Sequence, residues 1–269
     1  MSISKTLIIC SLFAVFLMGT VSAQSDSIAT EYVRLADDFK KNAAPDSAIV
    51  YYEKASVEFQ QLDHVEQFVN SYNQIGVVLT RQDKYEEAKI YLNKALSTGL
   101  SSLDSNNTVI AGTYLALGVV YNAEENYPLS LEYHHKALAI RLLKLGKNHS
   151  DVATSYGNLG NVYLNNKNYE KAIEYHSKAM KVREKLFGKT GVEVIQSYTN
   201  LGNAYRESKD YKKALSYFDK ALTNKIKQVG EKHKDLTKFY KNISDVYYLK
   251  GDNVKGDWYK MKAEEMSKN

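Results

Sequence analysis

Residues 155–163 read SYGNLGNVY, and residues 197–205 read SYTNLGNAY, 42 positions further along the chain. The two stretches share a tyrosine, a Leu-Gly pair and a second tyrosine at identical spacing. Aligning the chain on the small residue of this stretch extends the match in both directions and indicates six repeats. That small residue is Ala36, Gly76, Gly118, Gly160, Gly202 and Ser244 in turn. In every repeat a tyrosine precedes it by 4 residues and an alanine follows it by 19 residues.

Each repeat has the pattern of two helices. In the fourth repeat, apolar and aromatic residues recur at spacings of three and four over residues 156–163 and again over 169–179, which is the period of an α-helix. The polar residues 165–168 between them predict a turn. Gly160 and Ala172 indicate a close crossing of the two helices, because only small side chains let helices approach closely. A single pair cannot cover its own apolar face, so the pairs must stack.

This repeat resembles the tetratricopeptide repeat family. The residues that carry the resemblance are Tyr156, Leu159, Gly160, Tyr163, Ala172 and Ala179, and the same set recurs in the fifth repeat. The chain departs from the family pattern in two ways: the first aromatic residue is always Tyr, where the family often has Trp, and the late proline is absent. The resemblance implies an all-α fold, a right-handed superhelical solenoid of six antiparallel helix pairs. The predicted repeats cover about residues 29–68, 69–110, 111–152, 153–194, 195–236 and 237–269.

The 42-residue period is longer than the basic family repeat of about 34 residues. The extra residues lengthen the second helix, as over residues 169–187, and add a linker. Gly146, Gly188 and Gly230 in these linkers suit helix C-termini. The linker is similar to that of the long repeats in kinesin light chains and in many bacterial proteins. In the last helix, Lys260 replaces an apolar residue and charged residues surround it, which predicts a polar end cap.

Residues 1–23 have the layout of a secretory signal peptide. Lys5 is followed by an uncharged apolar run over residues 7–18 and then by small residues up to Ala23. The run is short for a membrane span, so a retained anchor is the weaker interpretation. We therefore expect an exported protein, periplasmic or extracellular, with a short linker at residues 24–28. No later stretch is long and apolar enough for an integral membrane segment.

The composition excludes several classes of protein. The chain has 269 residues, of which 44% are hydrophobic, and it contains 2 Pro and 1 Cys, which excludes disorder, a disulfide framework and a cysteine-based zinc site. No phosphate-binding loop, serine-hydrolase motif or zinc-protease motif occurs, so we expect no enzyme and no cofactor. His134 and His176 share a column that holds Leu92 and Phe218 in two other repeats, which favours packing over metal binding. Most of the 22 Tyr also recur in repeat columns, so we expect them to pack between helices.

Polar residues flank the apolar face of the predicted first helices. In this family the first helices line a concave face that binds extended peptides, so the resemblance implies peptide contacts for these residues. An amide both donates and accepts hydrogen bonds, which suits a peptide backbone. The alternative is that the asparagines face water and persist through duplication of the repeat. The candidate peptide-binding residues are Gln74, Asn158, Asn161, Asn200, Asn203, Arg206, Lys238 and Asn242.

Two further interpretations concern charge. Residues 195–269 contain 16 Lys+Arg and 10 Asp+Glu, a net charge of +6, with Arg206 and Lys238 on predicted first helices. A solvated basic face is favoured there over a site for an acidic peptide or an anionic membrane. A dicarboxylate clamp, which chaperone-binding members of the family use, is rejected. Gly157 and Asn242 stand where that clamp needs a lysine and an arginine.

The sequence therefore predicts a non-catalytic scaffold that binds an extended segment of another protein, centred on the fourth to sixth repeats. The alternative is a sensory or regulatory module of an envelope signalling system, which docks a folded partner by its convex or terminal surface. Nucleic acid is not expected as a partner, because the chain is predicted to be exported. The identity of the partner and the oligomeric state stay open.

Overall fold

The computed structural model describes residues 25–268, and every regular element in that range is helical. Helix α1 includes residues 25–41. The other helices are α2 (Pro45–Gln61), α3 (Val65–Arg81), α4 (Tyr85–Ser102), α5 (Thr108–Ala123), α6 (Tyr127–Leu145), α7 (Ser150–Asn165), α8 (Tyr169–Phe187), α9 (Val192–Glu207), α10 (Tyr211–Val229), α11 (Thr237–Leu249) and α12 (Asn253–Ser267). A short 3-10 helix at Lys234–Leu236 precedes α11. Over these residues, the predicted all-α fold of helix pairs is confirmed.

The predicted signal peptide at residues 1–23 lies outside the described residues. Residues 25–28, which the sequence assigned to a linker, belong to α1. They are held there because the Ser25 hydroxyl donates to the Glu58 carboxylate on α2 and because Ala29 is fully buried. In the described range, no helix combines the length and the hydropathy that crossing a membrane requires.

The long second helices end at the predicted glycines. Helices α6, α8 and α10 have 19 residues each and are capped by Gly146, Gly188 and Gly230. Gly146 has φ 74° and ψ 165°, a backbone region that is essentially restricted to glycine. The chain can therefore leave each long helix directly into an extended linker. In the linker after α6, the His149 imidazole accepts a hydrogen bond from the Asp151 backbone N–H at 3.1 Å and so caps α7.

The described residues form two compact units. One unit extends to Glu124 and contains α1 to α5, and the other begins at Glu125 and contains α6 to α12. A core cluster of the first unit consists of Ala29, Ala55, Phe59, Phe68, Val69 and Ala95. A core cluster of the second unit joins four helices through residues such as Tyr198, Phe218, Ile243 and Met266. Each unit therefore has a hydrophobic core shared by first and second helices, as stacked pairs require.

The small residue of each repeat allows the predicted close crossing. An ideal Cβ placed on Gly160 would lie 2.6 Å from the His176 ring, and one on Gly202 would lie 2.5 Å from the Phe218 ring. The ring of the second helix thus occupies the space where a side chain of the first helix would be. Ala172, the other residue predicted at the crossing, is fully buried.

The tyrosines pack between the two helices of each pair, which confirms their predicted role. Ring centroids are 5.3 Å apart for Tyr163 and Tyr175, 5.5 Å for Tyr205 and Tyr217, and 5.4 Å for Tyr247 and Tyr259, and all three pairs are stacked. Lysines cover some of these rings, as Lys178 does with its Nζ 4.7 Å from the Tyr175 centroid. Such cation–π contacts add to the apolar packing.

The last helix, α12, has a mixed surface. Lys260 and Glu264 are exposed in columns that are apolar and buried in the preceding repeat, in agreement with a polar end cap. The exposed surface of α12 is not polar throughout. Val254, Trp258 and Met261 are 82%, 49% and 55% exposed, and their spacing of four and three places them on one face of the helix.

Candidate functional site

The structure places every predicted binding residue on the first helix of a pair. Gln74 lies on α3, Asn158 and Asn161 on α7, Asn200, Asn203 and Arg206 on α9, and Lys238 and Asn242 on α11. Asn161 and Lys238 are exposed and the other six are half-buried. In the second unit, α8 packs against both α7 and α9, and α10 packs against both α9 and α11. The second helices thereby hold the successive first helices in order.

The asparagine side chains keep their hydrogen-bonding capacity for a ligand. Asn158, Asn161, Asn203 and Asn242 make no hydrogen bond to any residue of the described part of the chain. Asn200 is partly used, since its Oδ1 accepts a hydrogen bond from Gln196 Nε2 at 2.7 Å on the same helix. A free amide offers donors and acceptors together. These side chains are therefore suited to pairing with the backbone of an extended segment.

The two predicted cations differ in their availability. Arg206 is paired with the adjacent Glu207, whose carboxylate lies 3.1 Å from both Nε and Nη2 of the arginine. Lys238 is exposed, and its Nζ lies 5.1 Å from the centroid of the Phe239 ring. Lys238 is therefore the more accessible charge of the two.

A cleft of about 360 Å³ lies between α1, α2 and α3 in the first unit. Its apolar lining includes Val33, Tyr52 and Phe59, and its polar lining includes Asn70 and Gln74. Tyr52 and Phe59 are 0% and 4% exposed, so the apolar side of the cleft is formed by buried aromatic side chains. Gln74, one of the candidate peptide-binding residues, thus lines this cleft.

A hydrogen-bond network centred on Lys40 joins three residues that line this cleft, Asp37, Tyr52 and Gln74. Lys40 Nζ donates to Asp37 at 2.7 Å, to the Tyr52 hydroxyl at 2.8 Å and to Gln74 Oε1 at 3.0 Å, while the Tyr52 hydroxyl donates to Asp37 at 2.6 Å. Burial opposes ionisation of Asp37, but the hydrogen bonds from Lys40 and Tyr52 lower the pKa of its carboxyl overall. Burial and the Asp37 carboxylate raise the pKa of Tyr52. Gln74 Oε1 is thus already used within the protein, as Asn200 Oδ1 is, whereas the amides of Asn158, Asn161, Asn203 and Asn242 are not.

Two arginines that contact the first helices were not predicted from the sequence, because they lie on second helices. Arg141 on α6 and Arg183 on α8 are half-buried and donate hydrogen bonds to Ser155 and Ser197, which lie on first helices. A signal was available, since a basic residue recurs 23 positions after the small residue in three repeats, with Lys225 as the third.

His134 and His176 are packing groups, as predicted. Each is 1% exposed, and burial lowers the pKa of each imidazole to about 4. Both ring nitrogens of His134 and Nε2 of His176 have no hydrogen-bond partner among the described residues. Within the same range, no group of three or more His, Cys, Asp or Glu side chains is arranged to hold a metal ion.

Family models of the tetratricopeptide repeat match this sequence. One model matches residues 109–164 and 151–227, and a second matches residues 69–98. Together these matches cover more than half of the chain. No curated protein matches the sequence.

Solved structures with similar folds include repeat proteins of the kinesin light chain type. BtubC (BKLC) from P. vanneervenii is 19% identical with a TM-score of 0.67, over 90% of each chain. A putative kinesin light chain from Podosopora anserina is 15% identical with a TM-score of 0.66, over 74% of this chain and 94% of that one. A tetratricopeptide repeat protein from Parabacteroides merdae is 18% identical with a TM-score of 0.58, over 91% of this chain and 80% of that one. At these identities the likeness concerns the fold alone.

Proposed function

Because the chain belongs to the tetratricopeptide repeat family, we propose that it is a non-catalytic scaffold whose first helices bind an extended segment of a partner protein. Membership of the family supports protein–protein interaction as the general role. The observation that supports a site on the first helices is the set of free amides on α7, α9 and α11. Asn158, Asn200 and Asn242 share one column, and among their hydrogen-bonding groups only Asn200 Oδ1 has a partner in the described chain, Gln196 Nε2.

The repeated amides favour recognition of backbone over recognition of side chains. An extended segment presents a peptide group at regular intervals, and a row of amides can pair with successive groups. A typical net hydrogen bond contributes about 1 kcal/mol. Three such bonds from Asn158, Asn200 and Asn242 would contribute about 3 kcal/mol, which is roughly a 100-fold change in affinity.

The test begins with affinity capture of the partner from the native cell extract, followed by mapping of the bound segment with synthetic peptides. The mapped peptide is then titrated against a triple variant in which Asn158, Asn200 and Asn242 are replaced by alanine. A matched control replaces three exposed polar residues of second helices, Lys181, Ser216 and Thr223. We expect binding about 100-fold weaker for the first variant and unchanged for the control. Equal affinities of the two variants would reject the proposed site.

A second candidate function is docking of a folded partner by the terminal surface, as in a regulatory module of an envelope signalling system. The apolar face of α12 favours it, since Val254, Trp258 and Met261 are exposed together, and exposed apolar patches often mark interaction sites. Replacing Trp258 and Met261 by serine distinguishes the two functions. It abolishes partner binding if the terminal face is the site and leaves binding intact if the first helices are.

We also propose that the protein is exported. Support comes from the layout of residues 1–23, a positive residue followed by an apolar run and small residues. The test is N-terminal sequencing of the protein recovered from fractionated cells. The proposal expects a mature chain that starts near Gln24 outside the cytoplasm. Recovery of the intact N-terminus in the cytoplasmic fraction would reject it.

A further inference from the structure

The outward face of α12 carries an apolar stripe that the two preceding second helices lack. Val254, Trp258 and Met261 are exposed on it, while Ala263 and Met266 are buried on the opposite side of the helix. The same three columns hold polar side chains in the two preceding repeats, namely Glu170, Glu174 and Ser177 on α8 and Lys212, Ser216 and Asp219 on α10. The stripe is therefore specific to the last helix and does not follow from duplication of the repeat.

The stripe has the spacing of a coiled-coil seam. Its three apolar residues are separated by four and then three positions, which is the alternation of the a and d positions of a heptad. In that register one flank of the seam is basic and the other is acidic, with Lys255 and Lys262 on the first and Asp257 and Glu264 on the second. Helix α12 therefore presents an apolar seam between flanks of opposite charge.

These flanks are complementary to a second copy of the same helix in parallel orientation. In a parallel pair the basic flank of one helix lies beside the acidic flank of the other. Asp257 and Lys262 are five residues apart, which is the spacing at which g and e positions of parallel helices form interhelical salt bridges. In an antiparallel pair the two acidic flanks would meet, as would the two basic flanks, and like charges repel. The charge pattern thus favours a parallel pair, in which two-fold symmetry forms the contact between Asp257 and Lys262 twice.

Both charges are available for such a contact. The Tyr248 hydroxyl donates to Asp257 Oδ1 at 2.6 Å, which leaves the second carboxylate oxygen free. Lys262 Nζ lies 2.9 Å from the carboxylate of Glu265 on the same helix, and an ammonium group has three donors. Lys262 can therefore hold Glu265 and Asp257 of a second copy together. Glu265 follows Met261 by four positions and ends the apolar part of the seam.

We propose that α12 is a self-association surface, through which two copies of this chain form a parallel, two-fold symmetric dimer. One helical stripe offers fewer residues than the roughly 20–30 per partner of a standard interface, so the dimer is weak and forms at micromolar concentrations. The surface lies on a second helix, so this inference does not depend on the proposed site on the first helices. It competes with the second candidate function, because a second copy covers the face that a folded partner would need.

The test is sedimentation velocity of the purified chain between about 1 and about 500 µM, in which we expect a concentration-dependent dimer. The double variant Val254→Ser, Met261→Ser should weaken self-association at least about 10-fold. The matched control Val50→Ser, Val57→Ser should leave it unchanged, because these valines are 46% and 53% exposed on α2, away from the seam. Trp258 is the single tryptophan of the chain, so its fluorescence should shift to longer wavelength when the dimer is diluted.

Two charge reversals test the orientation of the helices. Asp257→Lys and Lys262→Asp each place like charges at both contacts of the dimer, so each should weaken self-association about 10-fold. An equimolar mixture of the two variants should regain the parental association, because both contacts of the mixed dimer then join opposite charges. This recovery would also show that neither variant is misfolded.

Three results would overturn the inference. The first is a chain that stays monomeric over the whole range, or one whose association the variant Val254→Ser, Met261→Ser leaves unchanged. The second is a mixture of the two charge variants that associates no better than either alone. The third is a monomeric chain whose Trp258 fluorescence shifts to shorter wavelength on addition of phosphatidylglycerol vesicles, which would assign the stripe to a lipid surface. Each of these results leaves the proposed site on the first helices intact.

Discussion

Replacing His176 by phenylalanine should remove part of the acid sensitivity of folding. His176 is 1% exposed, and burial lowers its pKa from 6.5 to about 4. Below about pH 6.5 the unfolded chain therefore binds a proton at this imidazole, whereas the folded chain binds none until about pH 4. The contribution of the neutral His176 imidazole to the free energy of unfolding is therefore fully present above about pH 6.5, and it is lost progressively as the pH falls towards 4.

The size of this pH effect follows from the difference between the pKa of His176 in the unfolded chain and in the folded chain. Each pH unit between the unfolded and folded pKa values corresponds to about 1.4 kcal/mol, so protonation linked to His176 costs about 3 kcal/mol by pH 4. Phenylalanine should fit, because Phe218 occupies the same column and is fully buried against Gly202. At neutral pH the variant loses only an unpartnered ring nitrogen. Its stability there should equal that of the parent or exceed it by about 1 kcal/mol.

The assay is urea unfolding followed by circular dichroism at about pH 7 and at about pH 4.5. The stability of His176→Phe relative to the parent should rise by about 2–3 kcal/mol between the two pH values. The reciprocal substitution Phe218→His should change the relative stability in the opposite direction. If the difference in unfolding free energy between His176→Phe and the parent is the same at both pH values, the buried imidazole does not resist protonation.

Three further predictions concern a helix-ending glycine, a close helix crossing and the hydrogen-bond network around Lys40. In each, the free energy of unfolding is measured by urea denaturation. Gly146→Ala should cost about 1–3 kcal/mol through backbone strain alone, since φ is +74° and a Cβ there meets nothing within 4 Å; an unchanged midpoint would contradict this. Gly202→Val should cost at least about 2 kcal/mol, because its side chain would overlap the Phe218 ring; a neutral effect would show that the crossing can relax. Lys40→Met should cost about 1–3 kcal/mol, because Asp37 loses its charged partner, and lowering the pH below the pKa of Asp37 should reduce that cost.

The repeat pattern predicts the packing because it depends on residues that recur. Gly160 and Gly202 mark the close crossings, and Gly146 marks a helix end, since each position admits only a small residue or a glycine for steric reasons. The tyrosine columns are predictable for the same reason. Each stacks within its own pair, so the repeat itself holds both partners of the contact.

The parts that depended on single side-chain partners were not predictable. The sequence suggested Arg206 as a candidate cation for binding, but its guanidinium pairs with Glu207. The repeat period does not show which neighbouring side chain a long, flexible side chain contacts. Arg183 lies on a second helix and donates a hydrogen bond to Ser197 on the following first helix. The two residues are 14 positions apart in sequence, and only the packing of the helices brings them together. The exposure of Trp258 could not be predicted for a similar reason, because it depends on which face of α12 packs against the core.

Site-specific photo-cross-linking to the captured partner tests whether the first helices bind it. A photoactivatable amino acid is placed at Asn161, which is exposed on the first helix α7, at Ser216, which is exposed on the second helix α10, and at Trp258 on the last helix. Binding of an extended segment to the first helices predicts cross-linked partner from position 161 and none from the other two. Cross-linking from position 216 or 258 with none from position 161 would show that the partner binds elsewhere than at the first helices.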